Sequence, residues 1–347
     1  MFRALLALLL ATFQPALPGY DYQFPRDHGT HDEFKTEWWY YTGHLRTDDG
    51  HRYGFELTFF RVGLVPFPQS NPWELRHLAL AHFAVTDVDG RDFRYYEKLN
   101  RTSPYTARAA EGKLDVFNEG WRATTQPDGS WRIRAQAGKD SIDLVLRTRK
   151  PPAIHGENGI SVKAEGEGYA SHYYSLTRLE ASGTVAGRRC TGQAWMDHEF
   201  GSAQLREHQR GWDWFSIQLD NDAELMLYVI RRDDGTPDVT SSGSLITQDG
   251  TVIHLRRDQL VVRPTGSWKS SKSKATYPMG WRIEVPSFRI ALTLAPLLKN
   301  QELITTGSTK ITYWEGAVEV SGSFDGTAVR GEGYVEMTGY DQAFKGS

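Results

Sequence analysis

Trp38-Trp39-Tyr40-Tyr41-Thr42-Gly43-His44-Leu45 lies over Trp212-Asp213-Trp214-Phe215-Ser216-Ile217-Gln218-Leu219, so the chain repeats itself. After a hairpin turn four residues shorter in the second copy, Phe55, Leu57, Phe59 and Arg61 match Leu225, Leu227, Val229 and Arg231. The closing segments match without a gap: Ser182-Gly183, Gly187, Gly192, Trp195 and Asp197 lie over Ser321-Gly322, Gly326, Gly331, Tyr334 and Glu336. Short strands resemble one another in general, but agreement in turn glycines, spacing and order at both ends points to an internal duplication. The expected division falls near Gly201 to Gln209, giving an N-terminal domain at 19–203 and a C-terminal domain at 204–347.

Elsewhere the hydrophobic period is close to two, and strand-like runs are separated by Asp49-Gly50, Asp89-Gly90, Asp128-Gly129, Asp234-Gly235, Asp249-Gly250 and Asp325-Gly326. Asp-Gly supplies the positive φ that tight hairpins need, so these are hairpins in series. Leu78 to Thr86, Trp131 to Ala135, Ser141 to Leu146 and Trp281 to Val285 alternate or are rich in β-formers, and no stretch carries a sustained helical stripe. The expected fold class is all-β, with antiparallel barrels or sandwiches. A short helix is expected near Leu297 to Glu302 and a long loop from Lys150 to Gly168.

A chain of 347 residues with 39% hydrophobic content can bury a core in each of two domains. Its net charge of -3, with no run of like charge, excludes the electrostatic footprint of a nucleic-acid binder. Residues 1–18 open with Met-Phe-Arg, continue through an apolar stretch from Ala4 to Phe13 and leave through Pro15, Ala16 and Pro18, the layout of a secretory signal peptide. That stretch is roughly half the ~20 residues needed to span a bilayer. The expected protein is therefore exported, periplasmic or secreted, with no integral membrane segment and a mature start between Ala16 and Tyr20. The alternative is an uncleaved amphipathic or buried N-terminal helix. The single cysteine, Cys190, cannot form a disulfide within the chain and reads as a small buried hydrophobe.

Signatures of the common hydrolases, kinases, dehydrogenases and zinc enzymes are absent, so no cofactor and no metal are expected. His28 and His31 sit in a polar segment and read as surface residues. On the strand from Glu37 to Arg46, Glu37, Trp39 and Tyr41 share one face and Trp38, Tyr40, Thr42 and His44 the other. Trp38, Trp39, Tyr40, His44, Trp212 and Trp214 are the candidate ligand contacts, with plugging of a barrel end as the alternative for Trp38 or Trp39.

The candidate catalytic group lies on the two strands that close the first half. His172, Tyr174 and Leu176 share a face, as do Gln193, Trp195 and Asp197. A two-residue turn at Ala186-Gly187 pairs Val185 with Arg188, hence Leu176 with Asp197 and Tyr174 with Glu199, and puts both sets on one side of the sheet. His172, Tyr174, Trp195 and Asp197 then surround one volume, where an acid among aromatic rings keeps its proton. The alternative is that Asp197 and His198 begin a turn and are satisfied by backbone N–H groups. In the second copy the equivalents are Ile311, Tyr313, Tyr334, Glu336 and Met337, so the histidines vanish there.

Glu37-Trp38-Trp39-Tyr40-x-Thr42-Gly43-His44-Leu45, Ser171-His172-Tyr173-Tyr174-Ser175-Leu176-Thr177-Arg178-Leu179 and Gly192-x-Ala194-Trp195-Met196-Asp197-His198-Glu199-Phe200-Gly201 together resemble the AttH-like family, which includes carotenoid 1,2-hydratase. The resemblance covers nearly the whole chain after the leader. It implies two tandem lipocalin-like antiparallel β-barrels, often described as a predicted secreted hydrolase, with fungal relatives that act as pericyclases on polyenes. It further implies acid-catalysed, cofactor-free addition of water to an isoprenoid double bond, carried by the positions His172, Tyr174, Trp195 and Asp197. The two aromatics are interchanged in type, Tyr174 standing where Trp is expected and Trp195 where Tyr is. The expected activity is a cofactor-free hydratase or hydrolase-like reaction on an apolar, unsaturated small molecule; the alternative is a carrier of a lipid-like ligand.

Overall fold

The computed structural model describes residues 12–66, 74–203 and 205–344; most of the expected leader lies outside them. The first half runs β1 (Thr36–Thr47), β2 (Arg52–Gly63), β3 (His77–Asp87), β4 (Asp92–Arg101), β5 (Ala107–Ala109), β6 (Asp115–Asn118), β7 (Trp121–Thr125), β8 (Trp131–Ala137), β9 (Asp140–Thr148), β10 (Ala153–Ile154), β11 (Ser161–Val162), β12 (Ala170–Val185) and β13 (Arg188–Gly201). The second runs β14 (Gln209–Leu219), β15 (Glu224–Arg232), β16 (Ser242–Ile246), β17 (Val252–Arg256), β18 (Val261–Pro264), β19 (Trp268–Lys269), β20 (Thr276–Tyr277), β21 (Trp281–Val285), β22 (Ile290–Pro296), β23 (Glu302–Ile304), β24 (Thr312–Phe324) and β25 (Thr327–Thr338). Each half is built on one antiparallel sheet curled into a near-barrel, in the order β4-β3-β2-β1-β13-β12-β9-β8-β7-β6-β5, with β10 and β11 also on β12, and β17-β16-β15-β14-β25-β24-β22-β21-β18, with β23 also on β24; β19 and β20 form a separate two-stranded sheet. Among the described residues no helix is long and apolar enough to cross a membrane.

The first barrel has an edge on each side of the gap between β4 and β5, and side chains cover it. Arg94 reaches Asp140 through two bonds of 2.7 Å, and Asn100 reaches Asn118 at 2.8 Å. Bonds of this kind hide strand edges that would otherwise recruit another chain.

The ladders reproduce the repeat read from the sequence. Tyr40 pairs with Asp197 as Trp214 pairs with Glu336, and Thr42 pairs with Trp195 as Ser216 pairs with Tyr334. The closing hairpins both turn on two residues of positive φ, Ala186-Gly187 and Asp325-Gly326, the type I′ geometry that matches strand twist. Cys190 is buried and unpaired by any disulfide. The expected helix at Leu297 to Glu302 does not form. Pro296 ends β22, and Leu297 donates its N–H to Ala317 O at 2.9 Å while packing on the neighbouring barrel, so tertiary bonding replaces helical bonding.

Two cores follow from strand alternation. Trp39, Tyr41, Phe55, Leu57 and Met196 fill the first barrel, and Phe215, Ile217, Leu227, Trp281 and Val335 the second. A third cluster contains Tyr40, Tyr173, Trp195, Trp214, Tyr228 and Tyr334. These are the outward residues of β1, β12, β13, β14, β15 and β25, so the barrels press their outer faces together and bury an aromatic seam. Gly54 permits this close approach, since a Cβ there would lie 2.5 Å from the Tyr334 hydroxyl.

Candidate functional site

The expected pairing of β12 with β13 holds from Val185–Arg188 to Leu179–Ala194 and then slips by one. Thr177 and Arg178 together oppose Trp195, a β-bulge, after which Leu176 pairs with Met196, Tyr174 with His198 and Ser175 with Asp197. A one-residue slip turns every later side chain to the other face. The expected constellation is thereby split: His172 and Tyr174 face the inside of the first barrel, whereas Trp195 and Asp197 face the seam. The second copy has no such bulge, so Tyr313 corresponds to Tyr173, and Glu315, opposite Glu336, corresponds to Ser175.

The bulge is pinned from across the seam. Gln218 donates to Thr177 O at 2.7 Å, Arg178 donates to Leu219 O at 2.8 Å, and Glu224 accepts from Arg178 at 2.5 Å and from Lys150 at 2.7 Å. Burying a carboxylate is tolerable when its charge is paired in this way.

On the seam side, Asp197 accepts hydrogen bonds from Tyr173 Oη at 2.7 Å, from Trp195 Nε1 at 2.6 Å and from Ser175 Oγ. The side chains, not turn backbone, satisfy it, and Asp197 lies within a strand. Burial pushes its carboxyl up to about 7, against the three hydrogen bonds that favour the ionised form. Trp214 Nε1 donates to Tyr173 Oη at 3.0 Å, and the Trp195 and Trp214 rings meet edge to face at 6.2 Å. Behind Ser175, His155 Nε2 lies 2.6 Å from the hydroxyl and His155 Nδ1 lies 2.9 Å from Ser244 Oγ. Burial holds His155 down to about 3, so it is neutral. Asp197, Ser175, His155 and Ser244 form a continuous hydrogen-bonded row from one barrel to the other.

Further acids share the seam. Glu336 accepts from Trp212 Nε1 at 3.2 Å and is pushed up by burial to about 7. Glu315 accepts from Tyr40 Oη at 2.6 Å and is held well above the usual range by burial and by Glu336 and Glu56. Glu56, beside Thr58, is raised by burial to about 8. Glu199 is instead paired with Lys163 at 2.8 Å, whose ammonium sits 3.8 Å over the Tyr228 ring. The cluster reaches solvent through the half-buried Trp38, Leu205 and Trp212.

Of the expected ligand contacts, Trp38, Tyr40, Trp212 and Trp214 belong to the seam cluster. His44 joins them on the seam, its Nε2 2.8 Å from Gly333 O. Trp39 does not: it lies in the first barrel, donates to His28 O at 3.1 Å and stacks on His198. His155 and Lys163 came from the stretch read as a loop, which in fact carries β10 and β11 along β12. No spacing rule points to them.

The other face of the hairpin holds a second polar network. His28 and His31, expected at the surface, are both buried. Glu37 accepts from Arg61 Nε at 3.0 Å, and one of its oxygens is 2.8 Å from both His31 Nδ1 and His198 Nε2. The Tyr174 hydroxyl lies 2.7 Å from His28 Nδ1 and 3.0 Å from His198 Nδ1. Burial alone would raise Glu37, but Arg61, His198 and His31 together hold it well below the carboxylate range. Burial lowers His172 to about 4, and Tyr20 packs on its ring at 4.5 Å. His31, Glu37 and His198 would bring three ligand atoms within 4.8 Å of one another, but each already has its partners and Arg61 supplies the compensating charge. This network ties the N-terminal segment into the barrel.

With two barrels, the duplication and the motif strands in place, the AttH-like family pattern matches residues 15–340. The chain belongs to the AttH-like family. It is similar to the AttH protein NE1406 of Nitrosomonas europaea, with 34% identity and a TM-score of 0.85 over 94% of this chain and 99% of the other. Kievitone hydratase from Nectria haematococca shares the fold at 16% identity and a TM-score of 0.70, over 95% and 98% of the two chains. The dehydratase asqC of Emericella nidulans is 23% identical over 278 residues, 73% of this chain and 75% of that protein. The all-β, two-barrel expectation is thus met by both the structure and the relatives of this AttH-like protein.

Proposed function

We propose that this AttH-like protein is a hydratase-like enzyme, a cofactor-free hydro-lyase that adds or removes water at a carbon–carbon double bond of an apolar small molecule held in the seam. The observation that carries this reading is Asp197: a buried carboxyl poised near neutrality, bound by Tyr173, Ser175 and Trp195 among ring faces. Relatives described as a hydratase and a dehydratase support the same class of reaction.

In the hydration direction, protonated Asp197 gives its proton to one alkene carbon. Positive charge then develops on the other carbon, where the faces of Trp195 and Trp214 favour it. Water attacks that carbon and loses a proton to carboxylate Asp197, so the acid is regenerated and atoms balance. Dehydration is the reverse. Ser175 and His155 orient the carboxyl, and the half-buried Trp38 and Trp212 form the seam's solvent-facing edge. His172 and Tyr174, implied by family resemblance, act in this reading through the barrel that carries the hairpin. We also propose that the protein is exported, the mature chain beginning before Tyr20, which leaves the Tyr20–His172 contact intact.

The test is turnover of apolar alkenes and their tertiary alcohols by wild-type protein and Asp197→Asn, with ligand retention measured in parallel. Binding without turnover in the wild type identifies a carrier and overturns the enzyme reading.

A further inference from the structure

A cavity of about 330 Å³ opens at the mouth of the first barrel, away from the seam. It lies where β2 and β3 face β5 and β6, and this is the low end of the ~300–1,000 Å³ typical of small-molecule sites. Its walls include the inward-facing rings of Trp39 and Phe59, and it reaches solvent past the exposed Pro104 and Arg108.

Two buried cationic or donor side chains line it with atoms that have no hydrogen-bond partner among the described residues. Arg61 spends Nε on Glu37 and Nη2 on the carbonyls of His31 and Phe34, but its Nη1 has no partner. His77 Nε2 is likewise unpartnered, and the two side chains are only 4% and 7% exposed. A buried donor left unmade costs about 1–3 kcal/mol, so such a pair marks where a ligand's acceptor fits. Among the described lining residues the acid is Asp32, which accepts from Thr30 Oγ1 and Arg76 Nη1, both at 3.0 Å, and stands 3.7 Å from Arg61 Nε and 4.0 Å from His77 Nδ1, leaving Arg61 Nη1 and His77 Nε2 unspent. Neutral His77 can present Nε2–H, and Arg61 with it offers two donors to one anionic group. Farther out, Arg108 adds positive charge at the mouth, 3.3 Å from Asp115.

We infer that the first barrel carries a binding site for a small aryl carboxylate, its carboxylate on Arg61 Nη1 and His77 Nε2 and its ring against Trp39 and Phe59. The site is separate from the seam and does not depend on the reaction proposed there.

Calorimetric titration of the full-length mature protein with 3-phenylpropionate and with 3-phenylpropionamide tests it. The acid should bind saturably and the amide at least about tenfold more weakly, because charge-assisted bonds favour the anion. Ala109→Phe, which fills the half-buried wall without touching the Glu37 network, should abolish binding, and His77→Phe should weaken it about tenfold. Asp197→Asn should bind as wild type does. Equal affinity for acid and amide, no saturation at millimolar acid, unchanged binding in Ala109→Phe, or loss of binding in Asp197→Asn would each overturn the inference.

Discussion

The Tyr173 hydroxyl donates to Asp197 Oδ2 at 2.7 Å, and it does so because a bulge at Thr177-Arg178 turns Tyr173, not Tyr174, toward the seam. Removing that donor takes away a bond that favours the carboxylate, so the Asp197 pKa should rise further. Tyr173→Phe should therefore shift the alkaline limb of the kcat/KM profile to higher pH and lower the rate. Tyr174→Phe breaks contacts with His28 and His198 instead, and should cost about 1–3 kcal/mol of unfolding free energy, read by urea denaturation, while leaving the pH profile in place. Identical profiles for the two variants would contradict the assignment of faces.

Asp197→Asn keeps shape and most hydrogen bonds but removes the transferable proton. Turnover should fall about 100- to 10,000-fold, the usual contribution of general acid catalysis, while ligand affinity changes little. Glu336→Gln makes the same chemical change at the equivalent position, where Glu315 stands in place of Ser175, and should cost far less. Steady-state kinetics on both variants, with thermal melts as a control for folding, decide the matter.

Asp197, Glu336 and Glu56 all have carboxyls raised by burial, to about 7, 7 and 8. An acid raised in the folded state contributes stability that is fully present below its unfolded value, roughly pH 4, and is lost as pH climbs through the folded value. Melting temperature should consequently fall between about pH 5 and pH 8, opposite to the trend of a chain held by paired carboxylates. Glu56→Gln should flatten that slope. A melting temperature that rises across the window would show that these acids are ionised in the folded protein.

Glu37 is the reverse case, a fully buried carboxylate held by Arg61, His31 and His198. Glu37→Gln leaves Arg61 without its counter-charge and should destabilise by about 3–5 kcal/mol. Urea unfolding measures the loss. Where the variant remains folded, its seam chemistry should keep the wild-type pH profile, since Glu37 lies on the other side of the hairpin.

Period two, Asp-Gly turns and the repeat of Trp38 to Leu45 in Trp212 to Leu219 were enough to determine an all-β chain of two like barrels, because these depend on local backbone preference and on spacing along the chain. The faces of β1 were legible for the same reason, and so was Asp197 as an acid among aromatics. The partners of Asp197 were not. A bulge is one extra residue whose position is set by what pins it, here Gln218, Leu219 and Glu224 in the other barrel, and nothing in the residues from Ser171 to Leu179 announces it. His28, His31, His155 and Lys163 looked like loop polarity, since burial of a loop histidine depends on which surfaces close over it. Local sequence thus decided which strands exist and how each alternates, whereas the docking of one barrel on the other decided the register from Ser171 to Leu176, and with it which side chains share a site.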